Sequence, residues 1–222
     1  VVPYYSDEWT TVYCGDARDV LPRLNLTDCV LLTDPVYGVD GGRGGDARRY
    51  GKARYDAHGW TDDEEYVRSV CVPVVEHVLR YAKRGAVTPG IRCLSFYPRP
   101  ADMGCFWTPA GVTTGPWGLG TMQPILYYGR DYRAGKGAWP TGRQVNSISE
   151  QNGHPCPKPI TGWRWLAAKM AEAGDVLVDP FLGSGTTIRA AKDLGLRSIG
   201  IEIEERYCDI AVGRLAQLVL PF

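Results

Sequence analysis

One stretch constrains the fold more than any other. A short apolar strand, Asp175 to Val178, runs into Asp179-Pro180-Phe181-Leu182-Gly183-Ser184-Gly185, and a helix-length segment follows from Thr186 to Leu194. A strand that turns this tightly into a helix belongs to an α/β sheet, where glycines let the backbone bend and let a ligand approach the main chain. The free N–H groups at the start of the Thr186 helix favour an anion. The spacing lacks the third glycine of a dinucleotide fingerprint and the Gly-Lys-Ser/Thr of a phosphate loop. After that helix and one more strand comes Gly200-Ile201-Glu202, with Glu202 at the strand end, where a carboxylate can accept both hydroxyls of a ribose.

The rest of the chain repeats the alternation of strand and helix, which predicts a sheet covered on both faces. Thr10 to Cys14 and Cys29 to Leu32 are predicted strands, with a short helix between them from Asp16 to Leu24. Apolar residues at Val67, Val70, Cys71, Val74, Val75, Val78 and Leu79 predict a helix within Asp62 to Ala82. Pro73 must either kink it or mark its true first turn. Ala86–Pro89 and Ile91–Tyr97 are weaker strand candidates, Phe106–Gly120 reads as irregular, and Pro124–Tyr128 as a strand. Thr161–Ala173 and Glu205–Leu218 are predicted helices, and Ser198–Ile203 a strand. Gly38–Gly59 and Arg130–Gly153 read as long connections, the kind that are usually functional or mobile. With no repeat or linker, the expectation is one domain over 1–222, with a catalytic half (1–129), a small recognition loop (130–153) and a cofactor half (154–222).

Composition excludes several classes. Hydrophobic content of 44% and charged content of 23% are those of a soluble globular protein. No apolar run is long enough to span a bilayer, and Val1 to Thr10 lacks the order of a signal peptide. A cytoplasmic location is therefore expected. The seven cysteines form no Cys-x-x-Cys pair, so neither a metal site nor a disulfide framework is expected. Formal net charge is zero, yet basic residues cluster. Arg43, Arg48, Arg49, Lys52 and Arg54 face only Asp46, and Arg130, Arg133, Lys136 and Arg143 face only Asp131. These two stretches are the candidates for gathering phosphates, with compensating acid elsewhere, notably at Asp62–Glu65 and Glu202–Glu205.

Val178 to Thr187 resembles the first motif of S-adenosylmethionine-dependent amino-methyltransferases of the DNA type. Ile199 to Ile203 with Glu205-Arg206-Tyr207 resembles their second, and His154-Pro155-Cys156-Pro157-Lys158-Pro159 resembles the motif that precedes both. Thr33-Asp34-Pro35-Val36-Tyr37-Gly38 is similar to their catalytic string, with Val36 where the family carries a second proline. Thr11–Leu21 and Trp117–Gly129 resemble flanking regions of the family. The catalytic string precedes the cofactor string, as in the permuted beta class of prokaryotic or phage type.

This resemblance implies a Rossmann-like methyltransferase fold, a mostly parallel sheet with one antiparallel strand and helices on both faces. It implies S-adenosyl-L-methionine as cofactor, held by Asp16, Lys158, Asp179, Phe181, Gly183, Ser184, Gly185, Thr186 and Glu202, with Lys158 facing the methionine carboxylate. It implies DNA as partner and an exocyclic amine as target, adenine N6 first because Asp leads the string. Such an amine is a poor nucleophile because its lone pair is delocalised into the ring. A carboxylate (Asp34) and a backbone carbonyl (Pro35) aimed at its hydrogens free that pair, and Tyr37 supplies an aromatic face for an extruded base. Cytosine N4, an RNA or protein-glutamine substrate, and a catalytically decayed DNA-binding subunit stay open as alternatives. The short recognition segments point to a homodimer.

Overall fold

The computed structural model describes residues 1–39, 62–109, 113–115, 117–134, 139–146 and 158–216. Its frame is a nine-stranded sheet. In chain order the strands are β1 (Tyr5–Ser6), β2 (Thr10–Cys14), β3 (Cys29–Thr33), β4 (Ala82–Val87), β5 (Asp102–Trp107), β8 (Met122–Gly129), β9 (Arg143–Gln144), β10 (Val176–Asp179) and β11 (Arg197–Glu202). A separate hairpin pairs β6 (Thr113–Gly115) with β7 (Gly118–Gly120). The spatial order is β1-β2-β11-β10-β3-β4-β8-β5-β9. Strands β2, β11, β10, β3 and β4 are mutually parallel, so their carboxyl ends share one edge. The expected reversed strand is β8, antiparallel to both β4 and β5, and the two-residue β1 is also reversed.

Alternation along β3 divides the interior in two. Cys29 and Leu31 enter a core with Val67, Val74, Val75 and Val78, whereas Val30 and Leu32 enter one with Trp163, Leu166, Leu177 and Ala190. Helix α1 (Ala17–Val20) and the helical run of α2 (Glu64–Tyr66) and α3 (Val72–Leu79) cover the first face. Helices α4 (Ile160–Met170) and α5 (Thr186–Asp193) cover the second, and α6 (Glu205–Leu215) packs with Val12, Leu182 and Ile188.

Pro73 stands in the first turn of α3, and a π-helical turn, Val67–Cys71, precedes it. The Val72 N–H reaches back to the Val67 carbonyl, a wider loop that admits a ring with no N–H to give. The helix is thus continuous past the proline. The structure corrects two strand readings. Ile91–Tyr97 is a turn followed by a 3-10 turn at Leu94–Phe96, with Ile91 largely exposed, because Gly90 at φ +62° bends the chain away from β4. Phe106–Gly120, read as irregular, contributes the end of β5 and the β6–β7 hairpin, since β5 pairs with β8 and β6 with β7 in ladders that residue type did not reveal. The loop expected from Gly38 to Gly59 lies, beyond Val39, outside the described residues, as do residues 147–157. Among the described residues no helix is long and apolar enough to cross a membrane.

Arg84 on β4 anchors the sheet edge opposite the strand carboxyl ends. It is buried, donates from Nε to the Met170 carbonyl at the end of α4, and pairs with buried Asp175 at 2.6 Å. Lys83 Nζ holds the other oxygen of Asp175 at 2.5 Å. Burial works against the Asp175 charge, but these cations hold its carboxyl below the usual range. Removing one member of a buried pair strands its partner's charge at a cost of about 3 kcal/mol or more. Arg84→Ala is therefore expected to lose roughly that much in urea unfolding at pH 7. A loss within experimental error shows that the pair contributes nothing to the fold.

Candidate active site at the strand carboxyl ends

Two Asp-Pro strings end neighbouring parallel strands. Asp34-Pro35 follows β3, and Asp179-Pro180 closes β10, with Leu177 beside Val30 and Val178 beside Leu31. On the far side of β10, β11 delivers Glu202, and β2 delivers Gly15-Asp16 next to it, with the Gly15 N–H on the Glu202 carbonyl at 2.8 Å. The sheet thus brings Asp16, Glu202, the glycine turn and Asp34 to one edge, where open α/β sheets bind ligands.

Asp34 is half-buried and crowded with donors. Its Oδ1 accepts from the Tyr37 hydroxyl at 2.5 Å, from the Gln123 amide at 3.2 Å and from the Thr88 hydroxyl. Its Oδ2 faces Lys158 Nζ at 2.8 Å. That same ammonium stands 4.6 Å from the centre of the Tyr37 ring. Burial and the neighbouring Asp34 charge push the Tyr37 hydroxyl well above its ordinary pKa, so it stays a donor. Gly90 lies against the ring, and a Cβ there would come within 2.7 Å of Tyr37 Cγ. One side of Tyr37 is therefore closed by backbone, while the Lys158 side is closed only by a flexible cation.

Sequence reasoning missed the residue that shapes this loop. Asp62 is tucked under it. Its carboxylate accepts from the Gly38 N–H at 2.6 Å and the Val39 N–H at 3.3 Å, and the Tyr37 N–H also faces it. Burial, the largest influence, still leaves its pKa raised. Val36 also acquires a physical role. Its backbone N–H faces the buried Cys71 sulfur, a contact that a proline at this position has no N–H to make. Thr88 and Gln123 escaped notice as partners of Asp34. The usable signal for Thr88 was its place just past β4, at the same strand edge.

The cofactor candidates divide. Glu202 is buried and its two oxygens accept from the Gly183 N–H at 2.7 Å and the Glu204 N–H at 2.9 Å. Burial pushes its carboxyl up to about 7. Phe181 is half-buried in the turn, and Gly183 and Gly185 both adopt left-handed φ, at +52° and +82°. A Cβ on Gly185 would meet Ala211 of α6 at 2.7 Å, so this glycine serves packing as well as the turn. Asp16 caps α1 through the Arg18 N–H and pairs with the Arg18 guanidinium at 2.5 Å, which holds its carboxyl below the usual range. Three candidates turn away from the strand edge. Asp179 is buried, with its oxygens taken by Thr33 (2.6 Å), Thr187 (2.5 Å) and the Phe181 N–H (3.1 Å). Ser184 and Thr186 are buried against Arg214, whose Nη1 donates to the Ser184 carbonyl at 3.1 Å and to Thr186 Oγ1 at 3.0 Å. Their polar groups brace the turn.

The basic candidates are dispersed. Arg43, Arg48, Arg49, Lys52, Arg54 and Lys136 lie outside the described residues. Arg130 follows β8 at the opposite edge, in the wall of a cleft of about 490 Å3 that includes Arg84, Asp131, Trp139 and Lys169. Arg133 stacks on Trp139 nearby, 3.8 Å from its ring centre. Because β8 runs against its neighbours, residues that follow it emerge far from Asp34. Of the described candidates, Arg143 alone sits on the Asp34 side, exposed on β9 beside Phe106. Among the described residues no group of three or more His, Cys, Asp or Glu is placed to hold a metal ion.

The raised Glu202 carboxyl sets a pH test. Below about 7 it is protonated and loses acceptor strength, and above about 7 it is the charged acceptor that two hydroxyls require. S-adenosylmethionine affinity, read by calorimetry, is expected to weaken about fivefold from pH 8 to pH 6, the difference between charged and neutral hydrogen bonds. Glu202→Gln should bind more weakly with that slope removed. An unchanged slope in the variant removes Glu202 from the binding site.

Comparison with known proteins agrees with this geometry. Residues 112–213 match the family model N6_N4_Mtase, described as DNA methylase. The Type II methyltransferase M.ScaI of Streptomyces caespitosus is 46% identical over 75 residues, which are 34% of this chain and 24% of that protein. This chain thus matches about a quarter of that relative's length. The crystal structure of the M1.HpyAVI–SAM complex superposes with a TM-score of 0.67 at 18% identity, covering 92% of this chain and 99% of that one. The PvuII DNA methyltransferase, described as cytosine-N4-specific, gives a TM-score of 0.69 at 14% identity over 99% and 90% of the two chains. Residues 112–213 thus match the N6/N4 DNA methylase model, and the chain shares its fold with these two solved proteins.

Proposed function

We propose that this chain methylates an exocyclic amino group of a DNA base using S-adenosyl-L-methionine, with adenine N6 as the first reading. The observation that carries it is Asp34-Pro35 on β3 beside the β10 glycine turn and Glu202. The side chains present suit a zwitterionic nucleoside. Acidic acceptors stand at the ends of β2 and β11 for hydroxyl and amino groups, and the Lys158 ammonium stands on the β3 side for a carboxylate. When bound, S-adenosylmethionine supplies a methyl group already activated by its sulfonium.

The protein's work is then alignment. The Asp34 carboxylate and the Pro35 carbonyl accept the two amino hydrogens and turn the nitrogen lone pair out of the ring. Tyr37, Thr88 and Gln123 hold Oδ1 in place. Lys158 occupies Oδ2, so a carboxylate ligand that draws Lys158 away frees this oxygen for the base. Cofactor before base is the order this contact favours. The amine sheds its extra proton after transfer, with Asp34 the nearest base.

Cytosine N4 is the second reading, favoured by the likeness to the PvuII protein. The Type II name of the M.ScaI relative supports a role as the modification partner of a restriction enzyme, and acting on DNA implies a cytoplasmic site in a prokaryotic cell. We propose a single domain over residues 1–222. The homodimer has no support of its own in the comparisons.

The test is to treat DNA with the protein and labelled cofactor, digest it to nucleosides, and identify the product by mass spectrometry. N6-methyladenine is expected. Asp34→Ala should lose product at least about 100-fold, the scale of removing one preorganised polar group, while keeping cofactor affinity within a few-fold. Cofactor binding with no methylated nucleoside sinks the enzymatic reading.

A further inference from the structure

We propose that the arm in which β5 and β8 outrun the sheet, extended by the β6–β7 hairpin, is the duplex-DNA contact of this protein, with Trp117 as a wedge that enters the base stack beside the extruded base. The inference rests on the functional reading above and adds to it the element that grips the duplex.

The sheet register makes the arm. Strand β4 stops pairing at Val87 opposite Leu126, level with the catalytic edge. Strand β8 continues with β5 to Met122 opposite Trp107. The four residues Met122 to Ile125 therefore lie past the last β4 pair, a projection of about 13 Å at strand rise. The Thr108 N–H then bonds the Thr121 carbonyl at 2.8 Å, and β6–β7 carries the pairing on to Gly115 opposite Gly118. Trp117 lies between the two members of that last pair and is fully exposed. Gly118 has φ +120° with open space around it, so this bend needs glycine for its backbone and not for packing.

The base of the arm is fixed to the catalytic carboxylate. Gln123 on β8 donates to Asp34 Oδ1 at 3.2 Å. Trp117 is six residues away along the chain, a reach of at most about 20 Å. Between them the ribbon shows Trp107 and Met122 directly paired, 44% and 53% exposed. Strand β9 flanks this pair and exposes Arg143 and Gln144 beside it.

An indole face accepts any base by stacking, and apolar wedges are a recurrent means of holding an opened base step. Extruding the target base leaves a gap that costs a few kcal/mol, and a stacked indole offsets part of it. A second copy of this chain is the rival occupant. Continuity with Asp34 favours DNA, and so does Arg143, which suits a phosphate and would be brought close to its own copy if two arms met.

The experiment compares one mixed-sequence DNA, native and heat-denatured, as methyl acceptor for the wild type, Trp117→Ala and Trp117→Phe. A single strand needs no wedge. Trp117→Ala is expected to lose roughly tenfold or more on duplex while matching wild type on the denatured strand, and Trp117→Phe should recover most of the loss. Equal duplex rates for Trp117→Ala and wild type overturn the proposal, as does an equal fall on both forms of DNA. A change of oligomeric state in Trp117→Ala with unchanged duplex methylation assigns the arm to self-association and also overturns it. A wild type that binds S-adenosylmethionine yet methylates neither form overturns the functional reading itself.

Discussion

The buried hydrogen-bond chain through Asp179 is what the arrangement of this site depends on. Thr33, one residue before Asp34, donates to one oxygen of Asp179, and Thr187, in the first turn of α5, donates to the other. Trp163 on α4 in turn donates its indole N–H to Thr187 at 2.9 Å. Every member is buried and engaged, and such a network specifies one geometry rather than several. It ties the strand that ends in Asp34 to the strand that opens the glycine turn. The carboxyl pays for this position with a pKa raised to about 6, mainly by burial. Two segments some 145 residues apart, the separation of Thr33 and Asp179, are thereby held at hydrogen-bond distance.

From that fixed pair the division of labour among carboxylates follows. Asp179 is spent on structure, Asp62 on the three N–H groups after Pro35 and Val36, and Asp16 on α1 and Arg18. Glu202 and Asp34 differ, because their partners are ones that a ligand can replace. Glu202 holds only backbone N–H groups. Asp34 holds a lysine whose flexible stem leaves its ammonium free to follow another carboxylate. Position at the strand edge is common to all of them, but exchangeable partners are not.

Much of this was legible in the sequence because it is local. Strands β2, β3, β10 and β11 announce themselves as short apolar runs, and the glycine turn as a strand stop. The Asp34 string is legible through its resemblance. What was hidden depends on contacts between distant segments. Asp62 looks like one acid among four in Asp62–Glu65, and only the return of the chain beneath Tyr37–Val39 makes it a buried acceptor. Strand β5 and the hairpin hid among Gly, Pro and Trp because the pairing, of β5 with β8 and of β6 with β7, is not written in propensity. Arg130 looked close to the catalytic strand by number, but the reversed direction of β8 carries it to the opposite edge. Ser184 and Thr186 looked like ligand donors until Arg214, thirty residues on from Ser184, claimed them.

Zero net charge bears on how such a chain engages a polyanion. Without a strong overall field, long-range steering contributes little, so affinity has to come from local contacts made after encounter. Among the described residues, exposed Arg18 beside Asp16 and Arg92 just past Gly90 stand near the strand carboxyl ends. Arg143 is exposed there, whereas Arg130 and Arg133 are at the far edge and Lys158 faces inward. Exposed Trp107, Trp117 and Met122 add aromatic and apolar surface on the ribbon that leaves the sheet beside Asp34. The same ribbon includes Gln123, which donates to Asp34 Oδ1. In the proposed function, grip on the duplex and orientation of Asp34 are therefore properties of one strand.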